Sequence, residues 1–259
     1  MTLEPAQYLL GAVSGGLVGG MLGLVGGGGS ILAVPLMIYL VGVGDTHLAI
    51  GTSAVAVAAN AAASLASHAR SGNVKWRCGG LFALAGTLGA LAGSSLGKAM
   101  DGGKLLLLFA LMMIPVGVVM FLKRGREGDP AAECTREKLP RLLGMGAGAG
   151  LFSGFFGIGG GFLIVPALVA STGMPTLLAV GTSLVAVTAF ALTVAVSYAL
   201  SGLLDWPLAA TFIAGGLAGS MAGTALSCRL GRGRKQLSTV FAAVVLCVAA
   251  YMIWHALRG

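Results

Sequence analysis

The sequence predicts an all-α polytopic membrane protein built from two inverted-topology repeats. Three observations predict this class: the chain is strongly apolar, a long motif occurs twice, and positive charge changes sides between the two copies. Of the 259 residues, 57% are hydrophobic and 9% are charged. Soluble domains carry about 25% charged residues, so most of this chain must face lipid or the interior of a helix bundle.

The repeat is clearest at residues 51–57, which return 130 positions later as residues 181–187 with six of the seven residues identical. The glycine-rich residues 23–35 return as 154–166, one position further out of step. Internal repeats in an apolar chain are typical of transporters. The repetition therefore indicates one membrane unit written twice.

Each copy contains a glycine-interrupted apolar run followed by three uninterrupted runs. The runs lie near 7–42, 47–69, 76–98 and 104–122, and again near 141–170, 177–200, 206–228 and 236–257. Runs of about 20 residues match a hydrocarbon core of about 30 Å. Between the copies, residues 123–141 hold ten of the 24 charged residues. We therefore assign 1–122 to the first membrane repeat, 123–140 to a charged cytoplasmic linker and 141–259 to the second membrane repeat.

The positions of Lys and Arg predict that the two copies have opposite orientations. Loop 70–77 carries three basic residues and its counterpart 201–206 carries none, whereas loop 98–104 carries two and its counterpart 229–235 carries four. Because cytoplasmic loops collect Lys and Arg, the copies should sit upside down, which requires an odd number of crossings per copy. Three long transmembrane helices plus a re-entrant or broken helix pair satisfy this condition, and so do five crossings. We favour six long spans plus two such pairs, with both termini outside.

Two glycine runs, at 26–30 and 157–161, precede short apolar helices that contain Pro35 and Pro166. Irregular backbone at membrane depth survives only where it is buried in protein or lines a watery cavity. Glycine N–H groups at a helix start suit an anion, because no Cβ blocks its approach and the helix dipole attracts it. We therefore predict a substrate-binding site that includes Gly28, Gly29, Ser30, Gly159, Gly160 and Gly161. Close helix packing by small residues is the alternative explanation.

Four hydroxyl side chains near the starts of the following helices are added to the predicted site: Thr52, Ser53, Thr182 and Ser183. They are expected to cap those helices or to donate to a bound oxyanion. Hydrogen bonding to carbonyls of their own helices is the alternative.

One long helix carries a polar face that includes Asn60, the last residue of the predicted site, together with Ser64 and Ser67. A polar face is costly against lipid, so it should face the bundle or a pathway. Hydrogen bonding between helices is the alternative for Asn60. His68 is expected at the membrane edge, beside Arg70.

Several function classes are disfavoured. No Asp or Glu lies in an apolar run, so cation coupling through a buried carboxylate is not expected. With three His and no GxSxG or HExxH motif, we expect no enzyme, no catalytic residue, no metal site and no cofactor. The net charge of +8 lies in short loops and indicates no nucleic-acid partner. The four scattered Cys are expected to be free thiols.

The pattern Gly-x-x-Gly-x-Gly-Gly-x leading to Val-Pro, at 23–35 and 154–166, is followed each time by Ala-x-Gly-Thr-Ser. This doubled motif resembles the TauE/SafE family of sulfite exporters, which are bacterial inner-membrane permeases, and the resemblance covers nearly the whole chain. The motif itself differs between the copies, since Gly27 and Ser30 of the first copy correspond to Ile158 and Gly161 of the second.

The resemblance implies a secondary transporter, expected to be an exporter, of small anions such as sulfite, other sulfur oxyanions or organosulfonates. Access would alternate at a site between the two repeats, and the partners would be a small anionic substrate and the lipid bilayer. A homo-oligomer is left open. The alternatives are a non-transporting scaffold subunit of the membrane and a passive anion channel.

Overall fold

The computed structural model describes residues 4–122, 136–157, 161–229 and 234–258. These residues form helices joined by short connections, which confirms the all-α prediction. The α-helices are α1 (Pro5–Val25), α2 (Ala33–Pro35), α3 (Thr46–Arg70), α4 (Trp76–Ala99), α5 (Gly102–Leu122), α6 (Leu139–Phe156), α7 (Gly161–Thr172), α8 (Thr176–Ala199), α9 (Trp206–Arg229) and α10 (Arg234–Arg258). Tighter 3-10 turns cover Gly26–Leu32 and Arg136–Lys138, and a π-helical turn covers Leu36–Leu40.

Within the described residues, five helical stretches are long and apolar enough to cross a membrane. They are Pro5–Leu40, Thr46–Arg70, Trp76–Ala99, Thr176–Ala199 and Trp206–Ser227. Shorter apolar stretches cover Gly102–Pro115, Leu163–Thr172 and Ala243–His255. Large apolar side chains such as Leu84 and Leu88 of α4 are exposed, as expected on a lipid-facing surface. The chain is a multi-pass membrane protein.

Loop aspartates set the starts of three helices. Asp45 accepts hydrogen bonds from the N–H groups of His47 and Leu48 at the start of α3. Asp101 and Asp205 accept in the same way from the third residue after each, at the starts of α5 and α9. These carboxylates satisfy N–H groups that a first helical turn leaves unpaired, so their role here is structural.

Both glycine-interrupted runs begin and end on one side of the bundle. The side-chain amide of Gln7, near the start of α1, donates to the carbonyl of Val41 at 3.1 Å. Lys138, next to the start of α6, donates through Nζ to the carbonyl of Thr172 at the end of α7 at 2.9 Å. The two hydrogen bonds occupy matching positions of the two copies. The two donors are 131 positions apart in the sequence, and so are the two acceptors.

The closest helix contacts join the two copies rather than lying within one. Helix α1 packs against α9, and α4 packs against α6. A Cβ on Gly19 would overlap the carbonyl oxygen of Gly216, and one on Gly150 would overlap that of Gly86. Small residues allow such backbone contact in membranes, where burying apolar side chains gives little advantage over lipid.

The contacts also fix the directions of the helices. Helices α4 and α8 are parallel. Gly79 near the start of α4 lies beside Thr182 near the start of α8, and further along both helices the hydroxyl of Ser94 donates to that of Ser197 at 3.1 Å. Helix α3 runs against α8, since Gly51 near its start contacts Tyr198 near the end of α8. The glycine contacts of α1 with α9 and of α4 with α6 likewise advance in parallel. Helices α1, α3 and α9 therefore run one way, and α4, α6 and α8 the other.

His68, in the last turn of α3, is fully buried by neighbouring helices. It lies on the inward face of α3. One expectation from the sequence needs correction. Cys78, in the first turn of α4, is disulfide-bonded, so the expectation of four free thiols is wrong there, whereas Cys247 is free and exposed.

Candidate functional site

A glycine with positive φ follows the end of the helix at both breaks. Gly26 caps α1 with φ of 73° and ψ of −144°, and Gly157 caps α6 in the left-handed conformation, with φ of 69° and ψ of 18°. Side chains with a Cβ rarely adopt a positive φ, so glycine is favoured at both positions although the two backbone conformations differ. Each break lies against a long helix of the other copy: a Cβ on Gly26 would lie 2.9 Å from Cγ1 of Val180, and one on Gly157 would overlap Ile50.

The two breaks meet each other inside the bundle. A Cβ on Gly161 would overlap the carbonyl of Gly27. The N–H of Gly27 donates to Oγ of Ser183 at 3.3 Å, and Oγ of Ser30 donates to the carbonyl of Gly27 at 2.9 Å. Every residue of Gly26–Leu32 is buried. Irregular backbone is thus enclosed by protein, as the sequence predicted.

Among the predicted backbone ligands, Gly28, Gly29, Ser30 and Gly161 are described and buried. A Cβ on Gly29 would overlap the backbone of α1 at Leu22, so that glycine also has a packing role. Gly159 and Gly160 lie outside the described residues.

Ser53 and Ser183 bond to their own helices. Oγ of Ser53 donates to the carbonyl of Ile50 at 3.0 Å, and Oγ of Ser183 donates to that of Val180 at 2.7 Å. These are the back-bonds that the sequence left open as an alternative. Their hydroxyl protons are therefore engaged in this conformation.

Thr52 and Thr182 instead join the two copies. Oγ1 of Thr52 accepts the N–H of Asp205 at 3.0 Å, and Oγ1 of Thr182 accepts that of Lys75 at 3.0 Å. The two bonds match each other across the repeat. A hydroxyl that accepts one hydrogen bond still has its own proton to donate. Of the four predicted site hydroxyls, Thr52 and Thr182 therefore keep a proton for donation.

The structure separates the predicted hydroxyls into two groups. Thr52 and Ser53 lie near the Gly157 break, and Thr182 and Ser183 lie near the Gly26 break. Gly51 contacts Tyr198, and 15 residues of α8 separate Tyr198 from Ser183, a rise of about 22 Å. One small anion therefore does not contact both threonines at once in this conformation.

Asn60 lies apart from the breaks, where its side-chain amide contacts the backbone of α9 at Gly216. Ser64 and His68 follow on the same buried face of α3, whereas Ser67 is half-buried and donates to the carbonyl of Ala63. The inward polar face is thus formed by Asn60, Ser64 and His68. These three residues are each four positions apart, a spacing that places them on one helix face. That spacing is the sequence signal by which His68 could have been assigned to the inward face.

The fold and these breaks define a multi-pass helical membrane protein whose irregular backbone is enclosed between two sets of helices. The family model described as "Sulfite exporter TauE/SafE" matches residues 11–252. The chain therefore belongs to the TauE/SafE family, which confirms the resemblance seen in the doubled motif. This is a family of transporters and not of enzymes, in agreement with the expectation that the chain is not an enzyme.

Three relatives bear similar names. Two proteins of Xylella fastidiosa, from strains 9a5c and Temecula1, are each 51% identical over 258 residues, covering 98% of this chain and 97% of theirs. Both are called "Probable membrane transporter protein". "Probable membrane transporter protein YunE" of Bacillus subtilis is 29% identical over 106 residues, 41% of this chain and 38% of its own. No solved structure gives a significant match.

Proposed function

We propose that the protein is a secondary transporter that exports small anions, most of all sulfur oxyanions or organosulfonates such as sulfite. The observation that carries the proposal is the meeting of two buried glycine breaks at Gly27 and Gly161, between the two copies. The description of the family and the names of its relatives support the same function.

The anion is placed where the breaks meet. On substrate binding, the N–H groups of Gly28, Gly29 and Ser30 are released from the 3-10 turn and donate to it from one copy, and the start of α7 at Gly161 faces it from the other. Helix α7 begins at Gly161, and its positive end favours a negative charge at this point. Glycine allows the backbone itself to contact the ligand, which a Cβ at these positions would prevent.

The two hydroxyl pairs lie at different places relative to this centre. Oγ of Ser183 accepts the N–H of Gly27, so Thr182 and Ser183 lie beside the centre. Thr52 and Ser53 lie about 22 Å from that pair along the helices. Each threonine has a hydroxyl proton available for an oxyanion oxygen, and the substrate passes between the two pairs by way of the centre.

Alternating access follows from an inverted repeat. The opposite directions of α1 and α6, and the matching bonds of Thr52 and Thr182, support an inverted relation between the copies. Two such copies have two equivalent conformations, in each of which a different break opens to its own side. The site residues are buried here, so a substrate enters only after helices move, which favours a carrier over an open channel.

Flux of radiolabelled sulfite into liposomes that contain the purified protein tests the proposal, alongside sulfate, thiosulfate, sulfoacetate and phosphate. Saturating uptake is expected from a carrier, whereas uptake that rises linearly with concentration indicates a channel. Absence of uptake for every anion, with correctly folded protein, contradicts transport.

The double variant Thr52→Val/Thr182→Val tests the site. Removing a donor to a charged ligand costs about 1.5–3 kcal/mol, so we expect a rise in the half-saturating sulfite concentration of about tenfold to a hundredfold. Thr52→Ser/Thr182→Ser keeps both hydroxyls and is the matched control, expected to transport like the wild type. Equal uptake by the valine variant contradicts the assignment of these threonines.

A further inference from the structure

A column of three polar side chains runs along the inward face of α3. Asn60, Ser64 and His68 are spaced four residues apart and fully buried, over about 12 Å of helix. They face α1 and α9: the Asn60 amide contacts Gly216, and Nε2 of His68 lies 3.2 Å from the carbonyl oxygen of Gly23. The matching residues of α8 are Phe190, Val194 and Tyr198, so this column belongs to one copy only.

The column has unused hydrogen-bonding capacity. Both amide atoms of Asn60 and the hydroxyl of Ser64 have no partner among the described residues. The same holds for Oγ1 of Thr224 on α9, which would lie 2.8 Å from a Cβ on Gly23. Buried polar groups are nearly always satisfied, by protein or by ordered water. Several such groups in one interface therefore indicate bound water.

His68 stands at the end of this column, close to the glycine break. Its carbonyl partner, Gly23, belongs to the last turn of α1, three residues before Gly26, a rise of about 4.5 Å. The C-terminal end of a helix carries a negative partial charge and stabilises an imidazolium. Histidine is also the side chain that titrates near neutral pH.

Among the described groups near His68, α1 presents the Gly23 carbonyl, and the Thr224 hydroxyl of α9 lies beside Gly23. On α3 itself, Arg70 is exposed two residues away. The described carboxylates all lie in connections outside the spans: Glu4, Asp45, Asp101, Glu137 and Asp205.

We propose that this column is a hydrated proton pathway and that His68 is the group that couples proton movement to anion transport. The inference rests on the proposed function. Water delivers one proton to the ring, which becomes an imidazolium, and the same proton later returns to water. The positive charge so gained lies about one helical turn from Gly26, the residue before the meeting point of the two breaks, and attracts the anion bound at that meeting point. Coupling therefore requires no carboxylate inside the membrane.

The test measures two fluxes in the same liposomes, sulfite by radiolabel and protons by an internal pH dye, and compares the protons moved per sulfite. His68→Gln retains a donor toward the Gly23 carbonyl but does not titrate. We expect this variant still to move sulfite down its own gradient. The number of protons moved per sulfite should be lower than in the wild type, because the protons carried by His68 no longer move. His47→Gln is the matched control, because His47 is also on α3 and its Nε2 lies 3.1 Å from a carbonyl, that of Met100. Its proton ratio should equal that of the wild type.

Ser64→Val is a second variant that keeps His68 and places in the column the residue that α8 has at the matching position, Val194. It removes a hydroxyl without a partner and should fold normally, yet lower the proton ratio by interrupting the water. A wild-type proton ratio in both His68→Gln and Ser64→Val overturns the inference while sulfite transport stands. Absence of sulfite flux in the wild type overturns the proposed function, and the coupling role with it.

Discussion

At the scale of single residues, neighbouring glycines of α1 have unequal roles. A Cβ on Gly19 would overlap the carbonyl of Gly216, whereas one on Gly20 would lie 3.6 Å from that of Gly219, an ordinary contact. The approach of α1 to α9 therefore depends on the first position and tolerates a methyl group at the second.

Gly19→Ala is accordingly expected to destabilise the protein, by about 1–3 kcal/mol, since the added methyl group forces two backbones apart. Thermal unfolding of detergent-purified protein, followed by the fraction that stays monodisperse on gel filtration, measures the effect. Gly20→Ala is the control and should unfold with the wild type. Equal melting temperatures for both variants would show that the α1–α9 approach is less close than described.

The hydrogen-bond partners of the residues that the repeat singles out could not be predicted from the sequence. The repeat singled out Thr52 and Thr182, but their partners Asp205 and Lys75 are 153 and 107 positions away in the sequence. A local pattern contains no information on such pairs. The burial of His68 was missed for a similar reason: α1 and α9, which cover it, are remote in the chain.

At the scale of helices, Gly157 combines two constraints that can be separated by experiment. Its φ is 69° and a Cβ there would overlap Cγ2 of Ile50. Gly202, in the turn before α9, has φ of 70° but no atom within 4 Å of a Cβ. Substitution of Gly202 therefore reports conformational strain alone.

We expect Gly157→Ala to reduce stability and sulfite transport far more than Gly202→Ala, because strain and steric overlap add at the break. Ile50→Ala creates space for the new methyl group, so the double variant Gly157→Ala/Ile50→Ala should recover part of the loss. Melting temperature and initial uptake rate are the measurements. Lack of any recovery would mean that the backbone conformation at Gly157, and not its packing, dominates.

Long helices were predictable in position as well as type. The runs expected near 47–69 and 76–98 appear as Thr46–Arg70 and Trp76–Ala99, because apolar length and flanking charge decide where a membrane helix ends. The glycine run at 26–30 was predicted to be irregular, and it forms a 3-10 turn. Glycine has little preference of its own, so that conformation is set by tertiary packing against α8.

At the scale of the whole molecule, the closest packing joins the copies. Helices α1 and α9 come from different copies, as do α4 and α6, and the bonds of Thr52 and Thr182 also cross between them. Rigid-body motion of one sequence repeat against the other would disrupt all of these contacts. We expect the moving units to be mixed groups of helices, such as α1 with α9 and α4 with α6.

The orientation of the copies was predicted from loop charge, and a labelling experiment checks it directly. Ser71 and Ser201 occupy matching loops of the two copies, and both are exposed. In an inverted repeat these loops lie on opposite sides of the membrane, with the basic 70–77 loop in the cytoplasm.

In a variant without native cysteines, Ser201→Cys should react with an impermeant maleimide added to intact cells. Ser71→Cys should react only after the membrane is opened. Both variants carry the thiol at the same place in the repeat, so local reactivity is matched. Labelling of both from the outside would place the two copies in the same orientation and would remove the basis for alternating access between inverted halves.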